Sequence, residues 1–434
     1  MNRIRLIDWL SRKRVWTYYR QYVDTQWYSR QQLDDLRLAK LRRLLAHCER
    51  HVPFYQAVMR ERGIVPSQVD SLDVVRRFPI IDKATVLREY PRLQASGAPG
   101  LGVVRYSQTG GTTGEPLRVP KDVAARSSAQ AMMFRFNDWM GVGLADPKLI
   151  LWARPIVAPP WTKRMRDGLF RRITNTRQVD AFGVNRAALP AIAVVLRGFR
   201  PVSLHGYCLS IYEVARWFAD AGERFSLRAV STTAEQLFPE HRPLFRDVFG
   251  CEAFEQYGGG EVEAIAMECA MHEGLHVSEE RVILELDADR NVIVTDLENL
   301  AFPFIRYRNG DQATPAGRLC RCGRATQLLA GILGRVADMI GGPSGNRVHP
   351  DFFTHLLNET GISYRTRLRK YQVVQERCDR LVWKLVGDPL SSDERAWLIA
   401  QVRAYLGAVD VEIERVEDIP PGRSGKFQYV INRS

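Results

Sequence analysis

The sequence lacks any uninterrupted stretch of about 18 apolar residues, the length that a helix needs to cross a bilayer. Its first eight residues carry charges at the positions where a secretory signal peptide has its apolar core. Cysteine is scarce, with seven in 434 residues at uneven spacing, which argues against a disulfide framework. The sequence also has no Gly-Lys-Ser/Thr ending of a P-loop. We therefore expect a cytoplasmic globular protein without a transmembrane segment.

Positive charge is in excess, with a net charge of +13 at pH 7. Residues 1–50 hold twelve Lys or Arg against five Asp or Glu. A basic surface can serve nucleic acid, anionic lipid or an acidic carrier protein, although such a surface is most often only a solvated face. No recognisable nucleic-acid module accompanies the charge, so we expect no specific nucleic-acid partner. The 45% apolar and 26% charged residues are typical of a globular chain.

Helical and strand-like segments alternate along much of the chain, which predicts an α/β fold with a substantially parallel sheet. An apolar row at every third or fourth position predicts an amphipathic helix over residues 30–52. The segments 282–286, 292–295 and 304–307 look like paired strands. After Gly334 the composition shifts to turn-forming residues. We therefore predict a large multi-subdomain α/β domain over residues 1–334 and a small mobile α+β lid over residues 335–434.

A glycine- and hydroxyl-rich stretch, Tyr106–Pro116, lies between two strand-like runs. Glycine lets backbone amides approach an anion closely, and Ser and Thr add short hydrogen-bond donors. Such a loop suits a triphosphate, although by itself it is as readily an ordinary turn.

Five further motifs follow this loop in order. They are Thr232–Gln236, Tyr257–Glu261, Arg306–Asp311, Gly334–Asp338 and Ser424–Lys426. Their order and chemistry resemble the adenylate-forming superfamily of acyl-CoA synthetases and nonribosomal adenylation domains. The segment Leu44–Tyr55 and the run Cys320–Arg324 are similar to the phenylacetate–CoA ligase branch, which includes members associated with capsule polysaccharide biosynthesis. The resemblance covers nearly the whole chain.

The resemblance implies a nucleotide site for ATP with Mg²⁺. In it, Lys426, Thr112 and Glu261 are the catalytic residues, and Glu261 is also the ligand of Mg²⁺, a cation that prefers oxygen. Tyr257 packs near the adenine, Asp311 accepts the ribose hydroxyls, and Arg335 contacts phosphate or ribose. The remaining nucleotide-binding residues are Ser107, Thr109, Gly110, Gly111, Thr113 and Gly114 at the phosphates, and Thr233, Ala234, Glu235 and Gly258 around the adenine.

The reaction that the resemblance implies is attack of a carboxylate on the α-phosphorus of ATP, which yields an acyl-adenylate and pyrophosphate. A thiol, either coenzyme A or a carrier phosphopantetheine, then displaces AMP. Two alternatives stay open at this point. One is an adenylyltransferase that leaves AMP on its substrate, and the other is a non-catalytic nucleotide-binding scaffold. Under each hypothesis we expect a monomer or a homodimer.

Two positions depart from the family pattern. Gly110 replaces a hydroxyl residue in the phosphate loop, and Ala337 replaces the usual hinge aspartate, which leaves Asp338 to take that part.

A cysteine- and histidine-rich pattern predicts a metal site. Cys269 and His272, together with Cys320 and Cys322, supply four ligands suited to tetrahedral zinc. The Cys-x-Cys spacing is tighter than usual, so reduced thiols in a packed loop are the alternative. We expect a structural zinc ion, with His276 as the alternative fourth ligand.

The identity of the acid cannot be read from the sequence. We expect its pocket between the phosphate loop and Tyr257, with Trp152, His205, Tyr207 and Phe254 among its lining residues, although for any one of them a place in an ordinary packed core is the more common alternative.

Overall fold

The computed structural model describes residues 3–108, 117–152, 161–180, 189–335, 340–343, 345, 347–348, 353, 356–357, 367–420 and 429–433. Within these residues the chain forms two compact units, Met1–Leu333 and Gly334–Ser434. None of the described helices is both long and apolar enough to span a bilayer.

The described α-helices are numbered in chain order. They are α1 Arg3–Ser11, α2 Val15–Thr25, α3 Arg30–His51, α4 Pro53–Glu61, α5 Lys83–Arg88, α6 Tyr90–Leu93, α7 Val123–Trp139, α8 Trp161–Ile173, α9 Leu189–Phe199, α10 Cys208–Asp220, α11 His241–Phe249 and α12 Ser392–Leu406. Short 3-10 turns lie at Pro66–Gln68 and Leu72–Arg77.

The described strands of the first unit are β1 Arg105–Gln108, β2 Arg118–Lys121, β3 Lys148–Trp152, β4 Thr176–Asp180, β5 Ser203–Tyr207, β6 Ala229–Thr233, β7 Ala253–Tyr257, β8 Ala266–Glu268, β9 Leu275–Val277, β10 Val282–Leu286, β11 Asn291–Asp296, β12 Tyr307–Pro315 and β13 Leu328–Arg335. Those of the second unit are β14 Ile340–Gly341, β15 Arg347–Val348, β16 Leu368–Arg377, β17 Arg380–Gly387, β18 Asp410–Arg415 and β19 Val430–Asn432.

A large mixed sheet organises the first unit, with the strand order β10-β11-β12-β13-β9-β8-β7-β6-β5-β3-β4. Strands β4, β3, β5, β6 and β7 are parallel, whereas β8 and β9 run antiparallel to their neighbours. The α/β fold predicted from the alternating segments is confirmed. From β8 onward the described strands of this sheet follow one another without an intervening helix, as antiparallel strands can.

Helices α7, α10 and α11 pack against the parallel strands. On one face the ring of Phe136 from α7 packs edge-on against Phe254 of β7, with centroids 6.4 Å apart. Helices α10 and α11 pack against each other and against β5, β6 and β7. The predicted helix over 30–52 is α3, which starts at a capping box between Ser29 and Gln32 and stops just before Pro53.

The predicted strand at 304–307 is wrong in its start. Phe304 and Ile305 are fully buried in an irregular segment, and β12 begins only at Tyr307. Arg306 adopts a left-handed backbone with φ of 53°, which no regular strand permits. Phe304 and Ile305 therefore fill the core from a loop. Apolar composition alone does not distinguish such a loop from a buried strand.

The second unit contains a four-stranded sheet of order β18-β17-β16-β19. Its strands β16 and β17 pair antiparallel, and β18 and β19 add to them in parallel. Helix α12 begins at Ser391 with a second capping box, completed by Glu394. This unit is the α+β fold expected for the C-terminal part.

Candidate nucleotide and acid site

The carboxyl ends of the parallel strands gather several of the predicted site residues. Trp152, Tyr207, Thr233 and Tyr257 are the last residues of β3, β5, β6 and β7. Neighbouring parallel strands end at the same edge, and ligands of open α/β sheets bind there. Just past β6, Ala234 takes a left-handed φ of 70° and is exposed, so the chain leaves the sheet at this edge with its backbone accessible.

A hydrogen-bonded triad joins β7 to β12. The hydroxyl of Tyr257 donates to Oδ2 of Asp311 at 2.8 Å. The side-chain amide of Asn309 donates to the same Oδ2 at 3.0 Å and to the Tyr257 hydroxyl at 2.7 Å. In return, the backbone amide of Asp311 donates to Oδ1 of Asn309 at 3.1 Å. These bonds fix the orientation of a half-buried carboxylate, as a ribose-binding aspartate requires.

The strand that leads into the glycine-rich loop lies against the same region. The hydroxyl of Ser107, in β1, donates to the carbonyl of Gly260 at 2.6 Å. The ammonium of Lys121, in β2, donates to the carbonyl of Glu261, and the Tyr307 hydroxyl lies 3.4 Å from Oε1 of that glutamate. Both strands that flank the loop are therefore anchored to the Tyr257–Glu261 segment.

Glycine at position 258 is required by close packing. A Cβ atom at Gly258 would lie 2.6 Å from the backbone nitrogen of Ala264. Any larger residue would push apart the turn that carries Glu261 behind Tyr257. Gly258 is thus explained by sterics, independently of nucleotide binding.

Aromatic side chains on β3 and β5 form a wall beside this edge. The Trp152 indole stacks on His205 with centroids 5.8 Å apart and planes 15° apart, and it lies 4.7 Å from the Tyr207 ring. Nδ1 of His205 lies 2.7 Å from the hydroxyl of Ser231. Burial lowers the pKa of His205 to about 4, so its ring is neutral near pH 7.

Phe254 has different surroundings. It is 5% exposed, and its ring contacts Phe136 at 6.4 Å and His272 at 4.5 Å. These contacts are those of a core residue between the sheet and α7, so its part in an acid pocket stays a prediction.

Several predicted residues are not placed by the described structure. Thr109, Gly110, Gly111, Thr112, Thr113, Gly114, Ala337, Asp338 and Lys426 lie outside the described residues. Arg335 is the last residue of β13, and the structure describes its backbone alone. The structure therefore brings together Ser107, Glu261, Tyr257 and Asp311, and their roles, like those of Thr233, Ala234 and Glu235, stay predictions.

The structure groups three cysteines with one histidine. One ligand atom from each of Cys269, His276, Cys320 and Cys322 lies within 4.8 Å of every other. The sulfurs of Cys269 and Cys320 are 3.7 Å apart, and the Cys322 sulfur lies 3.4 Å from Nε2 of His276. Zinc–ligand bonds of ordinary length at tetrahedral angles give separations of about 3.8 Å for two sulfurs and about 3.6 Å for sulfur and nitrogen. The donor set and its spacing both fit zinc.

The surroundings of His276 favour a ligand role. Its Nδ1 lies 2.8 Å from the hydroxyl of Thr326, which leaves Nε2 directed at the thiols. Burial and the positive charge of Arg324 lower the pKa of His276 to about 4, so the imidazole is neutral and able to bind a metal. The guanidinium of Arg324 itself lies 4.3 Å from the Trp139 ring centre, which packs edge-on against His276.

The structure groups His276 with the three cysteines, and not His272, the histidine expected from the sequence. Nδ1 of His272 lies 3.3 Å from Oε1 of Glu268, and its ring packs on Phe254. His272 has a left-handed φ of 52° in the turn after β8, whereas His276 lies in β9, which carries it back beside the cysteines. The short Cys-x2-His spacing pointed to His272, but the β8–β9 turn reverses the chain and brings His276 beside the cysteines instead.

Asn309 is a site residue that sequence reasoning did not single out. It lies two positions before Asp311 on the same strand, and period-two alternation places both side chains on one face. The two-residue spacing from Asp311 is the feature of the sequence that marks Asn309.

Comparison with known proteins supports the resemblance. The family model described as the CapK C-terminal domain matches residues 340–433. The phenylacetate–coenzyme A ligase of Thermus thermophilus is 26% identical over 342 residues, which are 72% of this chain and 72% of that protein. Protein CapK of Staphylococcus aureus is 21% identical over 397 residues, covering 89% of this chain and 86% of CapK.

A solved structure extends the likeness to the fold. It is 2-hydroxyisobutyryl-CoA ligase in the postadenylation state in complex with 2-HIB-AMP, with a TM-score of 0.72 at 17% identity, covering 94% of this chain and 91% of that one. The sequence relatives are thus phenylacetate–CoA ligases and CapK, the structural neighbours are adenylate-forming CoA ligases, and the resemblance predicted from the motifs is confirmed.

Proposed function

We propose that the protein activates a carboxylic acid with ATP to form an acyl-adenylate and pyrophosphate, and then transfers the acyl group to a thiol of coenzyme A or a carrier phosphopantetheine. One observation carries the proposal. The Asp311 carboxylate is held by Tyr257 and Asn309, and the segment that follows Tyr257 is bonded by Ser107 at Gly260 and by Tyr307 at Glu261. That is the chemistry of a nucleotide site, with a ribose acceptor on one side and the phosphate loop and a metal-binding carboxylate on the other.

In the proposed reaction, a carboxylate oxygen of the acid attacks the α-phosphorus, and the bond from that phosphorus to the pyrophosphate oxygen breaks. Charge gathers on the α-phosphate oxygens as the bond forms. Lys426 is the proposed donor that stabilises this charge, and Glu261 is the proposed ligand of Mg²⁺, which neutralises the phosphates. Orientation of the two reactants supplies much of the remaining acceleration.

The aromatic wall favours an acid with a flat or apolar body. Trp152, His205 and Tyr207 offer π-faces, and the neutral His205 ring adds no charge to repel or attract the substrate. Aryl acids, phenylacetate among them, are therefore the first members of the panel to test, and the similarity to phenylacetate–CoA ligases supports this choice.

The test is exchange of labelled pyrophosphate into ATP with a panel of carboxylic acids. Acid-dependent exchange in the wild-type protein, lost by more than about 100-fold in Lys426→Ala, is the expected result. Lys384→Ala, a lysine of β17 in the same unit, is the matched control and should keep the exchange. Full exchange in Lys426→Ala would overturn the lysine's role.

Two other outcomes would replace the proposed reaction. A stable adenylylated product that forms without consumption of a thiol indicates an adenylyltransferase. ATP binding by calorimetry without exchange for any acid indicates a nucleotide-binding scaffold.

We further propose that Cys269, His276, Cys320 and Cys322 hold a structural zinc ion. Four protein ligands complete a tetrahedral shell and leave no open position for substrate. The ion would tie the β8–β9 turn to the segment before β13, which are 51 residues apart at Cys269 and Cys320.

A further inference from the structure

Helix α8 presents an apolar row to solvent. Trp161, Met165 and Leu169 recur every four residues, so they lie along one side of the helix. Their exposures are 70%, 65% and 44%. Single exposed apolar residues are ordinary, but three bulky ones in line on one helix indicate a surface that another body covers.

The same helix is strongly basic. It contains five Lys or Arg and one Asp in 13 residues. Arg164 and Arg172 are exposed, and helical spacing places them beside and at the end of the apolar row. A bulky apolar row bordered by arginines is typical of a helix that lies in the plane of a membrane surface.

Further positive charge lies near the helix, on Arg105 of β1. The pKa of Arg105 is lowered by burial and by the charge of Arg166, and that of Arg126 by burial and by Arg105. The acidic Asp167 only partly offsets this, at 3.7 Å from the Arg166 guanidinium. The like charges of Arg105 and Arg166 repel one another, and an anionic surface would relieve this repulsion.

We propose that the apolar row of α8 and its flanking arginines dock on an anionic lipid bilayer, with the aromatic and aliphatic side chains at headgroup level. Trp is well suited to this depth because its ring is apolar and its N–H is polar. A second copy of the chain fits poorly, since an isologous contact would bring two basic helices together. A nucleic acid would contact the arginines but would offer no apolar surface to cover the apolar row.

The test is co-sedimentation of the full chain with lipid vesicles. Vesicles with about 30% phosphatidylglycerol should bind the protein, vesicles of phosphatidylcholine alone should bind it at least about tenfold more weakly, and about 0.5 M salt should weaken binding to the anionic vesicles. The triple variant Trp161→Ser, Met165→Ser, Leu169→Ser should lower the partition coefficient at least about tenfold. The pair Arg164→Gln, Arg172→Gln should lower it about tenfold at low salt.

Tyr405→Ser is the matched control, because this aromatic side chain is 56% exposed on α12 in the other unit. It should bind vesicles as the wild type does. Far-UV circular dichroism and thermal unfolding establish that each variant is folded. Wild-type binding by the folded triple variant would overturn the proposal, and so would binding to polyglutamate without binding to vesicles, which would identify an acidic protein partner.

Discussion

The Tyr257 hydroxyl and the Asp311 carboxylate are 2.8 Å apart, although β7 and β12 are four strands apart in the sheet order. In a flat sheet these strands would be separated by about 19 Å. The sheet therefore curls so that its two regions meet. The curl creates the site, since it brings a residue at the end of a parallel strand against one on an antiparallel strand.

We expect Tyr257→Phe to raise the KM for ATP by about three- to tenfold, because Asp311 loses one donor while Asn309 remains. The kcat should change less, since the ribose contact is made in the ground state and in the transition state alike. Pyrophosphate exchange as a function of ATP concentration measures both. Tyr55→Phe, which loses a buried hydroxyl bonded to Pro303, is the control for general destabilisation. An unchanged KM in Tyr257→Phe would contradict the positioning of Asp311 by this hydroxyl.

The zinc content of two variants should show whether His276 or His272 is the fourth ligand. Protein purified without chelator should hold about one zinc ion per chain, and His276→Ala should lower this to below about 0.3 because a three-ligand site binds far more weakly. His272→Ala, the matched control three residues beyond Cys269, should keep its zinc. Inductively coupled plasma mass spectrometry gives the stoichiometry. Equal zinc in both variants, or none in the wild type, would contradict the proposed ligand set.

Removal of Glu298 from its buried ion pair with α3 should destabilise the first unit. Glu298 is fully buried, and its carboxylate bonds Lys40 at 2.5 Å and Arg43 at 3.1 Å. Glu298→Ala should lower the free energy of unfolding by about 3 to 5 kcal/mol, because Lys40 is left buried without its partner. Chemical denaturation measures this loss. The control Glu252→Ala breaks the exposed pair with Arg246 and should cost less than about 1 kcal/mol.

The same pair predicts an acid-sensitive contribution. Burial opposes ionisation of Glu298, but the charges of Lys40 and Arg43 outweigh it and lower the carboxyl pKa. A lowered acid pKa stabilises the fold above the ordinary value and loses this contribution as pH falls through the folded pKa. The wild type should therefore lose stability below pH ~4.5 more steeply than Glu298→Ala does.

His205 contributes in a neighbouring, higher pH range, and its contribution is also lost as the pH falls. Its folded pKa of about 4 lies below the ordinary value of 6.5, so the unfolded chain binds the extra proton first as pH falls. Stability should fall between pH 6.5 and pH 4, by at most about 3 kcal/mol because the ring is only half-buried. His205→Gln should flatten this part of the curve of unfolding free energy against pH. An unaltered slope in the variant would show that other groups carry the dependence.

Helix α3 was predicted correctly because its signals lie within a few residues of one another along the chain. Helix α3 has a period of three to four apolar residues, a capping box at Ser29 and a proline at its end, and each of these acts within a few residues. The strand predicted over 304–307 starts too early because a buried irregular segment and a buried strand have the same apolar composition. Only the left-handed backbone of Arg306 distinguishes the two here.

The sequence by itself determined the order of the motifs, the α/β class and the residue types of both candidate sites, since these depend on composition and spacing. The tertiary structure decided which histidine joins the cysteines and that Asn309 locks Asp311 to Tyr257. It also decided that the apolar row of α8 faces solvent. These depend on chain reversals, sheet curvature and the packing of distant segments. No window of neighbouring residues contains that information, because the contacting groups are brought together by the whole fold.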